Sequence, residues 1–186
     1  GFRRVFLVCG SSFRLSMLGR HLQALEERGG VCSVRFSGFS PNPCWEEVNT
    51  GIARFQASGC DLIVAAGGGS AIDTAKCIRH SAGRDIPLLA IPTTAGSGSE
   101  ATHFAVVYRN GTKESVDCGL PDAVMLDPST LETLPDYQRK ATMLDALCHA
   151  VESFWSVNST PESVAYSKQA LRQIMDNYQG YLKNDP

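Results

Sequence analysis

The chain has 186 residues, which is enough for one domain or for a domain and a half. Hydrophobic residues make up 43% and charged residues 19%, so the composition is globular and excludes a disordered chain. The 17 Lys and Arg against 19 Asp and Glu give a net charge of -2, which lacks the positive surplus typical of nucleic-acid and membrane-surface binding.

The seven cysteines are widely and irregularly spaced and form no CxxC pair. This pattern is atypical of zinc knuckles and of redox motifs, and the odd count fits free thiols in a reducing cytosol. No apolar run approaches the ~18 residues that a membrane span needs. We therefore expect a cytoplasmic protein with neither a nucleic acid nor a membrane as partner.

Strands and helices alternate through the first half of the chain. In chain order we first predict a strand at 4–8 and a helix with Leu15, Leu18, Leu22 and Leu25 on one face. A strand at 31–36 and a helix with Trp45, Val48, Ile52 and Phe55 on one face follow. The last three elements of this half are a strand at 61–66, a helix at 71–80 and a strand at 87–91. The strand at 61–66 is continuously apolar, as in parallel sheets that are buried on both faces.

The pattern changes after residue 101. Strands at 102–108 and 113–116 flank Asn110-Gly111, the strongest short-range signal of a β-hairpin. A last strand is predicted at 124–126, and helices from Leu134-Pro135 onward. Together the elements predict an α/β fold, a doubly wound and mostly parallel Rossmann-like sheet with a β-hairpin, followed by the start of an all-helical domain. We place the α/β domain at 1–134 and the start of the helical domain at 135–186.

The third predicted strand runs directly into Gly67-Gly68-Gly69-Ser70 and then into a helix. Glycines let the backbone approach a phosphate, and the first N–H groups of a helix point at such an anion. We expect Ser70 to cap this helix and Asp73 to lie at its third position. The loop matches neither standard nucleotide fingerprint, and a plain turn is the alternative. Three consecutive glycines, however, cost backbone entropy that a plain turn does not require.

A second loop, at 92–100, follows the fourth strand and contains four hydroxyl side chains and two glycines. Loops at the carboxyl ends of neighbouring parallel strands meet at the crevice where such sheets bind ligands. A flexible surface linker would explain the composition of this loop but not its position. We therefore expect both loops to line one ligand site.

Asp145 and His149 are four residues apart, so on a helix their side chains share a face. A carboxylate and an imidazole at this spacing can hold a divalent cation. By itself the pair is more often a plain ion pair or a solvated helix face. The apolar neighbours on both sides make simple solvation a poorer explanation.

Taken together, these motifs resemble the iron-containing (group III) alcohol dehydrogenases. The matching segments are 67–76, 92–100 and 145–152, with Pro41-Asn42-Pro43 and Leu126-Asp127-Pro128 in addition. They occur in the family's order and cover essentially the whole chain. The glycine motif alone is shared with glycerol dehydrogenase and more loosely with dehydroquinate synthase.

The resemblance implies a metal-dependent oxidoreductase that uses NADPH or NADH and Fe²⁺ (or Zn²⁺). It also implies that 1–134 is the dinucleotide-binding domain and that 135–186 is the beginning of the helical, metal-binding domain. By motif match, the implied cofactor-binding residues are Asn42, Gly68, Gly69, Ser70, Asp73, Thr93, Thr94, Ser97 and Lys113, and the implied metal ligands are Asp145 and His149. Of these, the glycine-motif residues would hold the pyrophosphate region and the hydroxyl residues of 92–100 the nicotinamide side.

The chain departs from the family at two points. Family members carry two further histidine ligands in a longer helical domain, so we expect this chain to be part of a longer enzyme, a homodimer when complete, and inactive alone. Gly10 stands where NAD-preferring members have an Asp that binds the ribose hydroxyls. Without that carboxylate, Ser11, Ser12 and Arg14 can bind a 2′-phosphate, which favours NADPH.

A narrower resemblance links residues 110–116 and 153–159 to the phosphonoacetaldehyde reductases. It implies hydride transfer to a small anionic aldehyde, from phosphonoacetaldehyde to 2-hydroxyethylphosphonate. Two alternatives remain at this point. One is a glycerol-dehydrogenase-like polyol dehydrogenase with zinc, and the other is a non-catalytic nucleotide-binding fragment.

Overall fold

A computed structural model describes residues 1–83 and 85–183 of the chain. Contacts divide it into two compact units, Gly1–Thr93 with Ser99–Thr130 and Thr94–Gly98 with Leu131–Pro186. This division comes a few residues before the predicted boundary at 134, and it assigns part of the second predicted loop to the second unit. Within the described part of the chain, no helix is both long and apolar enough to span a bilayer.

The first unit alternates strands and helices. Its elements are β1 (Arg4–Cys9), α1 (Met17–Glu27), β2 (Cys32–Phe36), α2 (Trp45–Ser58), β3 (Leu62–Gly67), α3 (Gly69–Ala82), β4 (Leu88–Pro92), β5 (Phe104–Arg109), β6 (Thr112–Asp117) and β7 (Ala123–Val124). Five strands form a parallel sheet in the order β2-β1-β3-β4-β7, and β5 pairs antiparallel with β6. The predicted α/β class with a mostly parallel, doubly wound sheet is confirmed.

Both faces of the parallel sheet are buried, because alternate residues of its strands pack against helices on opposite sides. Phe6 of β1 packs on one face in a cluster with Phe55 of α2, where their rings are 5.3 Å apart, and with Ile72 of α3. Leu7 packs on the other face in a cluster that includes Leu22 of α1. This two-sided burial explains why β3, at the centre of the sheet, is continuously apolar.

The first helix begins later than predicted. Ser16 has an extended backbone, and its hydroxyl accepts the N–H of Gly19 as an N-cap, so α1 starts at Met17. Leu15 therefore lies in a preceding 3₁₀ turn, Ser11–Leu15, and is 78% exposed. The prediction that Leu15 lies on one face of this helix is wrong. The helix begins only after the Ser16 cap, and Leu15 precedes that cap.

The β5–β6 hairpin turns at Asn110-Gly111. Both residues have positive φ, 51° and 76°, which is the backbone of the tight hairpin turn that asparagine-glycine pairs favour. The predicted hairpin is confirmed. The last strand differs from its prediction, because β7 covers only Ala123–Val124 and Leu126 is exposed beyond it.

The helical unit contains α4 (Asp136–Trp155) and α5 (Pro161–Lys183). Arg139 of α4 is buried, and its guanidinium donates to the carbonyls of Glu132 and Leu134 before the helix and of Tyr181 in α5. The same group lies 5.6 Å from the centre of the Tyr181 ring. One side chain thus connects the two helices with the segment that leads into them.

Candidate functional site

The strand order reverses at β1. This strand pairs with β2 on one side and with β3 on the other. The chain therefore adds β2 at one side of β1 and then crosses to the other side to add β3. Open parallel sheets bind ligands outside the carboxyl ends of the strands at such a point. Gly10 follows β1 and Gly68 follows β3, so two predicted cofactor residues lie at this edge of the sheet.

The glycine loop is a direct transition from strand to helix. β3 ends at Gly67, Gly68 is the N-cap, and α3 begins at Gly69. A Cβ on Gly67 would lie 2.7 Å from the side chain of Ala71, so the end of the strand approaches the helix closely. The N–H of Ala71 donates to the carbonyl of Gly68 at 3.0 Å, but the amides before it in the first turn have no acceptor within the helix, and that turn carries no acidic residue. The loop therefore presents free N–H groups suited to an anion.

Two details of the predicted loop are wrong, because the helix starts earlier than predicted. Ser70 lies inside the first turn rather than at the cap, and its hydroxyl donates to the carbonyl of Pro41. Asp73 lies in the second turn, not at the third position. Its carboxylate accepts the N–H of Val106 in β5 at 3.1 Å. The role of Asp73 toward the pyrophosphate stays a prediction.

Lys76 is a buried cation that sequence reasoning did not single out. Its side chain is fully buried, and Nζ donates to the carbonyls of Ser99 and Phe104 at 2.8 and 2.6 Å. The Asp73 carboxylate lies 3.9 Å from Nζ. Burial lowers the pKa of Lys76 and raises the pKa of Asp73, and their mutual attraction opposes both shifts. Lys76 thereby fastens α3 to the chain that follows the second predicted loop.

The second predicted loop begins beside the glycine loop. Gly67 of β3 is paired in register with Pro92 of β4, and the N–H of Thr93 donates to the carbonyl of Gly67 at 3.0 Å. Thr93 thus lies at the same edge of the sheet as the glycine loop. Thr94 and Ser97 belong to the second unit.

Asn42 and Lys113 lie in segments that are bonded to each other. The carbonyl of Pro41 accepts the Ser70 hydroxyl at the start of α3, and the carbonyl of Pro43 accepts the N–H of Tyr108 in β5 at 2.8 Å. Asn42 is therefore placed between the glycine loop and the hairpin. Lys113 is exposed and pairs across the hairpin with Tyr108.

Asp145 and His149 share one face of α4 in the second unit. His149 Nε2 lies 3.8 Å from Asp145 Oδ1, and each side chain is about half exposed, at 54% and 49%. His149 Nδ1 lies 3.0 Å from the carbonyl oxygen of Gly96. A carbonyl only accepts, so Nδ1 carries the proton and Nε2 keeps its lone pair on the side of the carboxylate. This pairing with a backbone carbonyl is typical of metal-binding histidines.

Gly96 is the orienting group that sequence reasoning missed. A Cβ at this position would overlap the carbonyl oxygen of Thr142 in α4, so only glycine allows the loop to approach the helix this closely. The sequence shows Gly96 as a glycine within a hydroxyl-rich loop, but His149, the residue that it orients, is 53 residues away in the chain. The donor set of an imidazole nitrogen and a carboxylate fits a divalent cation.

Within residues 1–83 and 85–183, no third His, Cys, Asp or Glu completes a metal-binding group. Cys148 is exposed on α4, and His103 pairs with Asp117 at 3.1 Å in the first unit. Neither residue joins Asp145 and His149. All seven cysteines are free thiols.

Residues 1–128 match the family model of the iron-containing alcohol dehydrogenases, and residues 140–186 match the model of the C-terminal region of the same family. EutG of Escherichia coli, described as a probable alcohol dehydrogenase, is 34% identical over 152 residues, which are 71% of this chain and 38% of EutG.

Two crystal structures have the same architecture. A 1,3-propanediol oxidoreductase superposes with a TM-score of 0.88 at 30% identity, over 97% of this chain and 53% of its own. The sulfoacetaldehyde reductase of Bifidobacterium kashiwanohense, solved with NAD⁺, superposes with a TM-score of 0.81 at 29% identity, over 94% of this chain and 51% of its own.

The chain thus spans about half the length of these two structures and less of EutG. The two family models follow one another along the sequence, as the glycine loop and the Asp145–His149 pair do. The chain belongs to the iron-containing alcohol dehydrogenase family.

Proposed function

We propose that this chain is the cofactor-binding part, with two metal ligands, of an oxidoreductase that transfers hydride between NAD(P)H and a small aldehyde or alcohol. The observation that carries the proposal is the glycine loop, whose free amides begin α3 at the point where the strand order reverses. A dinucleotide's pyrophosphate is the anion that such a site suits.

The cofactor residues divide by position. Gly68, Gly69 and Ser70 supply first-turn amides to the pyrophosphate, and Asp73 holds the helix against β5. Asn42 and Lys113, in the segments bonded beside this loop, contact the nucleotide. The hydroxyl-bearing residues Thr93, Thr94 and Ser97 contact the nicotinamide side.

Asp145 and His149 would hold Fe²⁺, or Zn²⁺, through a carboxylate oxygen and Nε2. When bound, such an ion supplies a Lewis acid that polarises the oxygen of the substrate. The Gly96 carbonyl keeps the proton of His149 on Nδ1 and so keeps Nε2 available. A site of this kind needs about three or more protein ligands, so further donors complete it.

We infer NADPH as the preferred cofactor. Gly10 ends β1 without a carboxylate, and Ser11, Ser12 and Arg14 follow it in the adjoining 3₁₀ turn. Hydroxyls and a guanidinium bind a phosphate monoester, whereas an aspartate at this point would repel it.

For the substrate, we infer phosphonoacetaldehyde, reduced to 2-hydroxyethylphosphonate. Two segments, 110–116 and 153–159, resemble phosphonoacetaldehyde reductases. One structural relative is a sulfoacetaldehyde reductase, whose named substrate is likewise a small aldehyde with a tetrahedral anionic group. The diol enzyme among the relatives supports the alternative of a neutral alcohol substrate.

Reduction rates of the enzyme with Fe²⁺ and NADPH separate these substrates. The complete polypeptide is assayed with phosphonoacetaldehyde, sulfoacetaldehyde and 3-hydroxypropanal, and kcat/KM is compared. We expect the phosphonate to be preferred by about tenfold or more, since a pocket that pairs an anion rejects a neutral analogue. Preference for 3-hydroxypropanal would contradict the substrate, and absence of any NAD(P)H-linked turnover would contradict the reaction.

A further inference from the structure

Arg35 of β2 points toward the end of β1 at which the cofactor's ribose is proposed to bind. It is paired in register with Leu7 and lies on the α1 side of the sheet, opposite to the buried Phe36. Its Cζ lies 5.7 Å from the centre of the Phe13 ring. Because Phe13 belongs to the turn that follows Gly10, the guanidinium extends toward the carboxyl edge of the sheet.

The Arg35 guanidinium has an unsatisfied buried donor: within the part of the chain that the structure describes, its Nε is buried and has no hydrogen-bond partner. Across the described residues, no carboxylate lies within ion-pair distance of Arg35. A buried donor of a charged group costs free energy unless an acceptor satisfies it, and an anionic oxygen is the best acceptor for a guanidinium.

The surroundings of this guanidinium are positive and carry no acid. Burial raises the pKa of the Cys9 thiol, and the charges of Arg35 and Arg14 oppose that rise, so both cations act on the last residue of β1. The segments after β1 and β2, residues 10–16 and 37–44, contain seven serine, asparagine or arginine side chains and no Asp or Glu. Nothing in these two segments neutralises the two cations.

We propose that Arg35 is a specificity-determining residue that binds the phosphate monoester on the adenosine ribose of NADPH, beside Gly10. The inference rests on the proposed dinucleotide site and adds a residue to it. Packing against the Phe13 ring, 5.7 Å from Cζ, restricts the guanidinium, so less side-chain freedom is lost when its N–H groups meet phosphate oxygens. The planar fork of arginine matches two such oxygens, which a lysine cannot do.

Calorimetric titration of two nucleotide pairs tests this role in the 186-residue chain. The first pair is 2′,5′-ADP and 5′-AMP, which differ only in the 2′-phosphate, and the second is NADPH and NADH. In Arg35→Gln we expect binding of 2′,5′-ADP and NADPH to weaken about tenfold or more, because a charge-assisted contact is lost. Binding of 5′-AMP and NADH is expected to change less than about twofold, because neither carries that phosphate.

Two further variants keep the test decisive. Arg28→Gln removes an exposed arginine just after α1 and should leave all four affinities unchanged. Arg35→Lys keeps the charge but not the fork, and should give a smaller loss confined to the phosphorylated ligands, even where Arg35→Gln folds poorly by circular dichroism.

Equal weakening of both members of each pair in either Arg35 variant would show that Arg35 only packs against Phe13, and would overturn the inference. Unchanged binding of 2′,5′-ADP would overturn it as well. In both cases the dinucleotide site itself still stands, because the wild-type chain binds NADH or NADPH. A wild-type chain that binds neither dinucleotide would instead remove the proposed function, and this inference with it.

Discussion

At Gly10, a single new side chain is expected to shift the cofactor preference toward NADH. No heavy atom lies within 4 Å of a Cβ at this position, and its φ of -64° suits any residue, so Gly10→Asp should fold normally. The new carboxylate would repel a 2′-phosphate and accept ribose hydroxyls. We expect the ratio of NADPH to NADH affinity to fall by about tenfold or more, the size of one close charge contact.

Titration of both cofactors, with the fluorescence of Trp45 and Trp155 as reporter, measures that ratio. Gly10→Asn is the matched control, since it has the shape of aspartate without the charge and should shift the ratio much less. Tighter binding of NADH than NADPH by the wild-type chain would contradict the assignment of NADPH.

At the residue scale, spacing predicted the local backbone around the glycine motif better than the hydrogen bonds of its side chains. The glycine motif predicted the strand, loop and helix, because backbone freedom is encoded in the glycines themselves. The bonds of Ser70 and Asp73 were not predictable, since each depends on a partner about thirty residues away, Pro41 for one and Val106 for the other. The start of α3 at Gly69 was not predictable either, because the end of β3 approaches the first turn of this helix closely only in the folded chain.

At the scale of elements, Lys76 is expected to be a strong polar anchor of α3. Lys76→Met keeps the length of the side chain but removes its bonds to two carbonyls and leaves the Asp73 carboxylate buried without a cation. We expect unfolding free energy to fall by about 3 kcal/mol, as when one partner of a buried pair is removed. Urea denaturation of the chain measures the loss.

The matched control is Lys140→Met on α4. Lys140 pairs with Asp136 at 2.7 Å, but both side chains are more than half exposed, so its loss should leave stability close to that of the wild type. If the two substitutions lowered the unfolding free energy equally, the buried bonds of Lys76 would not stabilise the fold more than an exposed ion pair does, which would contradict this prediction.

The elements themselves were largely predictable, since their signals are local. Asn110-Gly111 predicted the hairpin because both residues tolerate positive φ. The first helix was predicted to begin too early, at Leu15. The helical spacing of the leucines continues to the N-terminal side of Ser16, the residue that caps the start of the helix. The assignment of Thr94–Gly98 to the second unit was not predictable, because Gly96 meets Thr142 and His149 only in the folded chain.

At the scale of the whole molecule, metal and nucleotide binding are expected to separate. Among the described residues, the two proposed ligands, Asp145 and His149, lie on one half-exposed helix face, and stable sites use about three or more. We therefore expect the 186-residue chain to lose Fe²⁺ or Zn²⁺ on dialysis and to show no turnover by itself. Metal content by atomic emission measures this.

A longer polypeptide, one that covers the full length of the relatives, is expected to hold metal and to show turnover together. In that protein His149→Ala should lose both, while the control His80→Ala, on α3, should keep both. Stoichiometric metal that survives dialysis in the 186-residue chain would show that a further ligand, such as His103 or Cys148, completes the site, contrary to this account.

Dinucleotide binding to the chain itself tests the central claim most directly. NADPH is titrated into wild type, Gly69→Ala and Gly69→Val, with circular dichroism as the check on folding. We predict saturable binding at one site, weakened in Gly69→Ala and abolished in Gly69→Val, because a branched side chain occupies the space of the pyrophosphate at the start of α3. A folded Gly69→Val chain that binds NADPH as tightly as the wild type would show that the loop is only a turn.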